Sequence, residues 1–103
     1  MRERDIEQYL VRRVKELGGE VRKVQWVGRS GAPDRLVMLP GISAYHGDAG
    51  RTFWVELKRP GLAATFPSDT HERAQHREHE RMRKMGQRVV VIDSIEGVDG
   101  LLA

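Results

Sequence analysis

The chain has no cysteine, few aromatic residues and no long apolar run. Without cysteine there can be no disulfide framework, no thiolate nucleophile and no cysteine-based zinc site. Any metal must therefore sit on oxygen or imidazole. No apolar run is longer than Val89-Val90-Val91-Ile92, which is far too short to span a bilayer. The N-terminus, Met1-Arg2-Glu3-Arg4-Asp5, lacks the apolar core of a secretory signal, so the expected location is the cytoplasm. Internal repeats and low-complexity segments are also missing. What remains is 103 residues, 39% hydrophobic and 32% charged, with a formal charge of +3. That is enough for one domain with one core, spanning residues 1–103. The mild basicity permits nucleic-acid binding without requiring it.

Hydrophobic periodicity predicts the order α-β-β-β-α-β-α. Ile6, Leu10, Val14 and Leu17 recur at helical spacing, which predicts a helix over 3–17 that stops at Gly18-Gly19. A strand with mixed faces, typical of a sheet edge, is expected over 20–27. After the loop Gly28 to Pro33, Asp34 opens a second strand, Arg35-Leu36-Val37-Met38-Leu39, apolar on both faces. A hairpin connection holding Tyr45, His46 and Asp48 leads to a third strand, Thr52 to Lys58. Ser68-Asp69-Thr70 offers helix caps, and Asp69 and Glu72 have capping-box spacing. The helix that follows runs to about Met85 and stops at Gly86. It is rich in His and Arg and reads as a solvated, substrate-facing helix. A β-branched strand, Arg88 to Ile92, and a short helix capped by Ser94 complete the chain. The polar helix is long enough for a crossover between parallel strands. The expected architecture is α/β, a mixed four-stranded sheet flanked by helices on both faces.

The third strand carries the sharpest chemical signal. Alternation sends Phe53, Val55 and Leu57 to one face and Trp54, Glu56 and Lys58 to the other. An antiparallel partner that begins at Asp34 brings a second carboxylate toward Glu56. Two adjacent carboxylates repel unless a cation shares them. Mg2+ suits an open site of a few oxygens, including the Leu57 carbonyl, and a neighbouring lysine can serve phosphodiester hydrolysis. Taken alone, Glu-x-Lys on a strand is more often a surface ion pair of little energetic consequence. Here it interrupts a strongly apolar strand and pairs with an aspartate on the preceding one.

Pro33-Asp34 followed by Glu56-Leu57-Lys58 resembles the PD-(D/E)xK nuclease motif. The wider set narrows the match: Gly31-Ala32-Pro33-Asp34-Arg35-Leu36-Val37, then Phe53 to Gly61, then Gln75 and His79, then Val89 to Ile92. Together these are similar to the VRR-NUC (virus-type replication-repair nuclease) family, over nearly the whole chain. The resemblance implies a restriction-endonuclease-like core and a structure-selective DNA endonuclease dependent on Mg2+ or Mn2+. It makes Asp34 and Glu56 metal-binding carboxylates, Lys58 the catalytic lysine and Gln75 a helix residue holding the lysine, the substrate or a water. Glu7 is the acidic residue expected from the first helix, with Glu3 as its alternative. Stand-alone members are similar to Holliday-junction resolvases acting in replication, recombination or repair. Two symmetric cuts from one small site each imply a homodimer.

Arg29, Arg35, Arg59, Arg73 and Arg77, with Arg81, are expected DNA-backbone contacts. His71, His76 and His79 do not form a zinc set, since only His76 and His79 share i,i+3 spacing. His46 is expected to have no catalytic role. Competing readings are a flap or other branched-DNA nuclease, a non-catalytic nucleic-acid-binding module with the same fold, and an interaction subunit of a larger assembly.

Overall fold

The computed structural model describes residues 1–41 and 49–103, so Tyr45, His46 and Asp48 lie outside the described residues. The elements are α1 (Glu3–Glu16), β1 (Glu20–Lys23), β2 (Arg35–Leu39), β3 (Arg51–Leu57), α2 (Thr70–Lys84), β4 (Val89–Ile92) and α3 (Ile95–Leu102). Their order is the one the periodicity predicts. The sheet runs β1-β2-β3-β4 in space, with β1 at an edge. The β1–β2 and β2–β3 pairs are antiparallel, whereas β3 and β4 are parallel and joined by the α2 crossover. Among the described residues, no helix is long and apolar enough to cross a membrane.

Strand alternation divides the sheet into two unlike faces. Phe53, Val55 and Leu57 point to one side together with Val37, Leu39 and Ile92. The apolar stripe of α1 (Ile6, Leu10, Val14) closes over them, and Val98 and Leu102 of α3 complete this core. Each such side chain contributes roughly 1.5–3 kcal/mol by leaving water. The opposite face carries Trp54, Glu56 and Lys58 and is covered by α2.

The helix α2 departs from the solvated helix expected from its composition. Gln75, Glu78, His79 and Met82 are buried, and His79 has no exposed surface. They lie at i, i+3, i+4 and i+7, a helical stripe built largely from polar residues. Counting apolar residues misses such a stripe. The ends of α2 are firmly set. Asp69 Oδ1 accepts from the Glu72 amide at 2.7 Å. At the other end Gly86 takes a positive φ of 83°, and the Gln87 amide donates to the Met82 carbonyl.

β1 is shorter than expected. One more bond, from the Val24 amide to the Asp34 carbonyl, extends its ladder. The next position opposite β1 is Pro33, which has no N–H to donate. Trp26 then leaves the sheet and meets Trp54 edge-on, with ring centroids 6.5 Å apart.

Candidate active site

The β2–β3 register places Arg35 opposite Val55, so Asp34 lies beside Glu56 at the end of the sheet. Asp34 is held firmly there. Its Oδ2 accepts from the Leu57 amide at 2.9 Å, and its carbonyl accepts from Val24 N–H and from Arg35 Nη1. The Leu57 side chain belongs to the core, but its backbone serves this site.

Glu56 is only 2% exposed. Its Oε2 accepts from Gln75 Nε2 at 3.2 Å and lies 3.7 Å from Lys58 Nζ. Its Oε1 has no hydrogen-bond partner. Burial, reinforced by the charge of Asp34, pushes the Glu56 carboxyl up to about 8, against the opposing pull of Lys58. A carboxyl in this position stays protonated near neutral pH unless another cation reaches it.

Lys58 sits among three acceptors. Its Nζ lies 2.8 Å from Glu72 Oε2 and 3.4 Å from Gln75 Oε1, in addition to its contact with Glu56. Burial works against its charge, but pairing with Glu72 and Glu56 outweighs that and raises its pKa above the ordinary lysine value. Gln75 thus bridges the lysine and the buried carboxylate, accepting from one and donating to the other. The loop after β3 borders the site through Phe66. Asp93 Oδ2 anchors it by accepting from the Gly61 and Ala63 amides. The Phe66 ring lies 5.1 Å from Lys58 Nζ and stacks on His79 at 5.7 Å.

Two residues in this cluster have site roles that their sequence positions do not reveal. Glu72 looks like half of a capping box, yet its Oε1 accepts from Ser68 N–H and Oγ–H and its Oε2 binds Lys58. Bonds from Lys58 and Ser68 hold its carboxyl down at about 2. His79 has Nε2 4.0 Å from Glu56 Oε1, and neither ring nitrogen has a partner. Burial, aided by the positive Arg83, lowers its pKa to about 4, so the imidazole is neutral. The hints available were the i,i+4 step from Gln75 to His79 and the i,i+3 step from Glu72 to Gln75.

Other sequence candidates sit around this cluster. Glu7, expected as a metal ligand, pairs with Arg35, expected as a DNA contact, and Arg35 also donates to the Asp34 carbonyl. Among the described residues no three His, Asp or Glu side chains converge as a ready-made metal cage. Arg29 donates through Nε and Nη2 to Glu78 Oε2 at 3.0 and 2.6 Å. Arg73 reaches Thr70 Oγ1, and Arg59, Arg73 and Arg77 are exposed.

The donor set fits a hard divalent cation. Two carboxylates meet at one sheet end, and one of them carries a buried oxygen with no partner and a raised pKa. An α/β sheet that presents a paired Asp and Glu-x-Lys at one end defines the restriction-endonuclease-like class. No family model matches the chain. A relative described as "Putative nuclease p44", from Acyrthosiphon pisum secondary endosymbiont phage 1, is 39% identical over 94 residues, which is 91% of this chain and 85% of the relative. A solved structure described as a VRR_NUC domain is 38% identical, with a TM-score of 0.72 over 97% of this chain and 92% of its own. The chain belongs to the VRR-NUC nuclease family.

Proposed function

We propose that the protein is a structure-selective DNA endonuclease dependent on Mg2+ or Mn2+, acting as a junction-resolvase-like homodimer in replication, recombination or repair. The observation that carries this reading is the pairing of Asp34 with the buried Glu56, whose Oε1 has no partner, beside a lysine kept cationic. Asp34, Glu56 and the Leu57 carbonyl would hold the cation, with Glu7, now paired with Arg35 through one oxygen, as a further candidate ligand. Bound there, the cation would neutralise the carboxylates and supply Lewis-acid polarisation of the phosphate.

The chain's own residues account for the rest. Lys58 presents a fixed positive charge at Nζ to the phosphate oxygens, where negative charge builds during cleavage. Gln75 and Glu72 set the position of that ammonium. The Phe66–His79 stack shields the inner side of Glu56 from water and so strengthens electrostatic effects there. The exposed arginines Arg59, Arg73 and Arg77 supply sequence-independent backbone contacts.

One parallel assay tests the reading. Four-way junctions, flaps, single strands and linear duplex are incubated with Mg2+, with Mn2+ and with EDTA, and the oligomer mass is measured alongside. The expected result is cation-dependent cutting of a branched substrate by a dimer, abolished in Asp34→Ala. Cutting that survives EDTA, or full activity in Asp34→Ala, would overturn it. Preferential flap cutting by a monomer would move the assignment to the flap-nuclease class.

A further inference from the structure

A cleft of about 800 Å3 lies beside α2 and outside the carboxylate site. It is a broad depression open to solvent rather than an enclosed pocket. One wall is the segment that leaves the sheet after β1. Trp26 is half-buried there and set edge-on against Trp54, whose indole N–H donates to Gln87 at 2.8 Å. Next to it Val27 is fully exposed, and across the cleft Met85 is 71% exposed. These side chains present apolar surface to water that the fold does not cover.

The rim is basic. Arg81 and Lys84 line this cleft, and Arg77 lines an adjoining hollow that shares Arg81 with it. All three are exposed and form no ion pair with a described residue. Among the described residues Glu78 is the only acid on the rim, and it is occupied by Arg29. Gly31 allows this geometry. With φ at 95°, its missing Cβ would lie 3.0 Å from the Glu78 side chain, so the loop packs against α2 and delivers Arg29 to Glu78. An indole bordered by Arg81 and Lys84, with Arg77 in the adjoining hollow, matches a nucleotide, with a π-surface for its base and positive charge for its phosphates.

Position links the cleft to cleavage. Gln75 contacts the reactive cluster, Arg81 follows it on the same helix, and Met85 caps that helix. At 1.5 Å per residue they lie on the order of 10–15 Å along the axis, within reach of one continuous strand.

We propose that the Trp26 cleft binds an unpaired nucleotide of the DNA strand near the scissile phosphate, with its base on the indole and its backbone on Arg77, Arg81 and Lys84. Bases in an intact duplex are already stacked on one another and cannot enter it, so the cleft favours DNA with locally unpaired bases. This inference rests on the nuclease reading above.

The experiment uses the full chain in EDTA, titrated with a short oligothymidylate and with a blunt duplex. Binding is read from the fluorescence anisotropy of a labelled oligothymidylate, a signal that does not depend on the tryptophan being replaced. The oligothymidylate should bind the wild type. Trp26→Ala should weaken that binding about tenfold or more, as loss of one base–aromatic stack does, while Trp26→Phe retains most of it. Duplex affinity should change less than about twofold under the same criterion. Replacing Arg81 and Lys84 by Gln leaves the indole packing alone and should flatten the salt dependence of oligothymidylate binding by about 1.4 units of slope, roughly 0.7 for each lost phosphate contact. Unchanged affinity in Trp26→Ala, an unchanged slope in the charge variant, or equal losses on duplex and single strand would overturn the proposal. So would a change in oligomer mass in Trp26→Ala, because the occupant would then be a second copy of the chain. The two readings fail separately. Cation-dependent cutting with unaltered oligothymidylate binding in Trp26→Ala sinks only the cleft. Oligothymidylate binding that weakens in Trp26→Ala, in a chain that never cuts DNA, sinks only the nuclease.

Discussion

The two faces of one strand behave as opposites. Phe53, Val55 and Leu57 of β3 face α1 and α3 in a core made entirely of apolar side chains. Glu56 and Lys58, from the same segment, face α2 among Gln75, Glu72 and His79. The first face gains stability from burial. The second holds a carboxyl pushed up to about 8 and an imidazole pushed down to about 4, both arrangements that cost stability. The alternation of side chains lets seven residues of β3 serve both purposes without compromise. The stable face keeps the strained one in place.

The sharpest way to break this comparison is at the strained face. Glu56→Gln should lower cleavage by about a thousandfold or more, the scale set by loss of a key electrostatic group. It should also raise the melting temperature of the metal-free chain at pH 8, because the variant has no charge to bury. A drop in melting temperature would contradict the cost assigned to Glu56. The opposite signature belongs to the core face. Phe53→Ala removes a fully buried ring and should cost about 3–5 kcal/mol in denaturant unfolding. The fraction still folded should retain the catalytic cluster.

Stability against pH sharpens the contrast further. The folded pKa of Glu56, about 8, lies above its ordinary 4.5, so its contribution is complete below pH 4.5 and is lost as pH rises toward 8. The folded pKa of His79, about 4, lies below its ordinary 6.5, so its contribution is complete above pH 6.5 and is lost as pH falls toward 4. Between pH 4.5 and 6.5 the two slopes oppose each other. From pH 6.5 to 8 Glu56 acts alone, and the metal-free chain should lose about 2 kcal/mol. Thermal melts across this range check the shape, and added Mg2+ should remove the loss on the alkaline side.

Smaller effects probe the edges of the site. Glu72→Gln weakens the hold on Lys58 and should reduce kcat roughly tenfold with little change in KM, as expected for one charge-assisted hydrogen bond. Glu16→Gln, which breaks the exposed pairs with Arg12 and Arg13, should shift stability by about 0.5 kcal/mol or less in the same denaturant assay. A large effect there would mean that stability does not reside mainly in the core.

Local pattern determined much of the molecule. Alternation in Phe53 to Lys58 assigned the two faces of β3, and the spacing from Asp34 to Glu56 across a hairpin placed the two carboxylates together. The stripe Ile6, Leu10, Val14 identified the inward side of α1. These signals are periodic and short-range, so they are visible in one dimension. The burial of His79, the double service of Glu72 and the pairing of Glu7 with Arg35 could not be read that way. Each depends on where a polar side chain ends up after distant segments meet, and polar residues carry no hydrophobic signal of the side they will face.

The sequence alone determined the element order, the sheet faces and the carboxylate–lysine motif, because periodicity and spacing follow from backbone geometry. Only the tertiary structure decided which polar groups surround that motif. Packing α2 against β3 left one oxygen of Glu56 without a partner and supplied the lysine with a second carboxylate. Turning Trp26 out of the sheet left its ring facing a basic cleft. Those outcomes turn on distances of a few ångströms between residues far apart in the chain, and electrostatic interaction at such range is set by position and burial rather than by residue type.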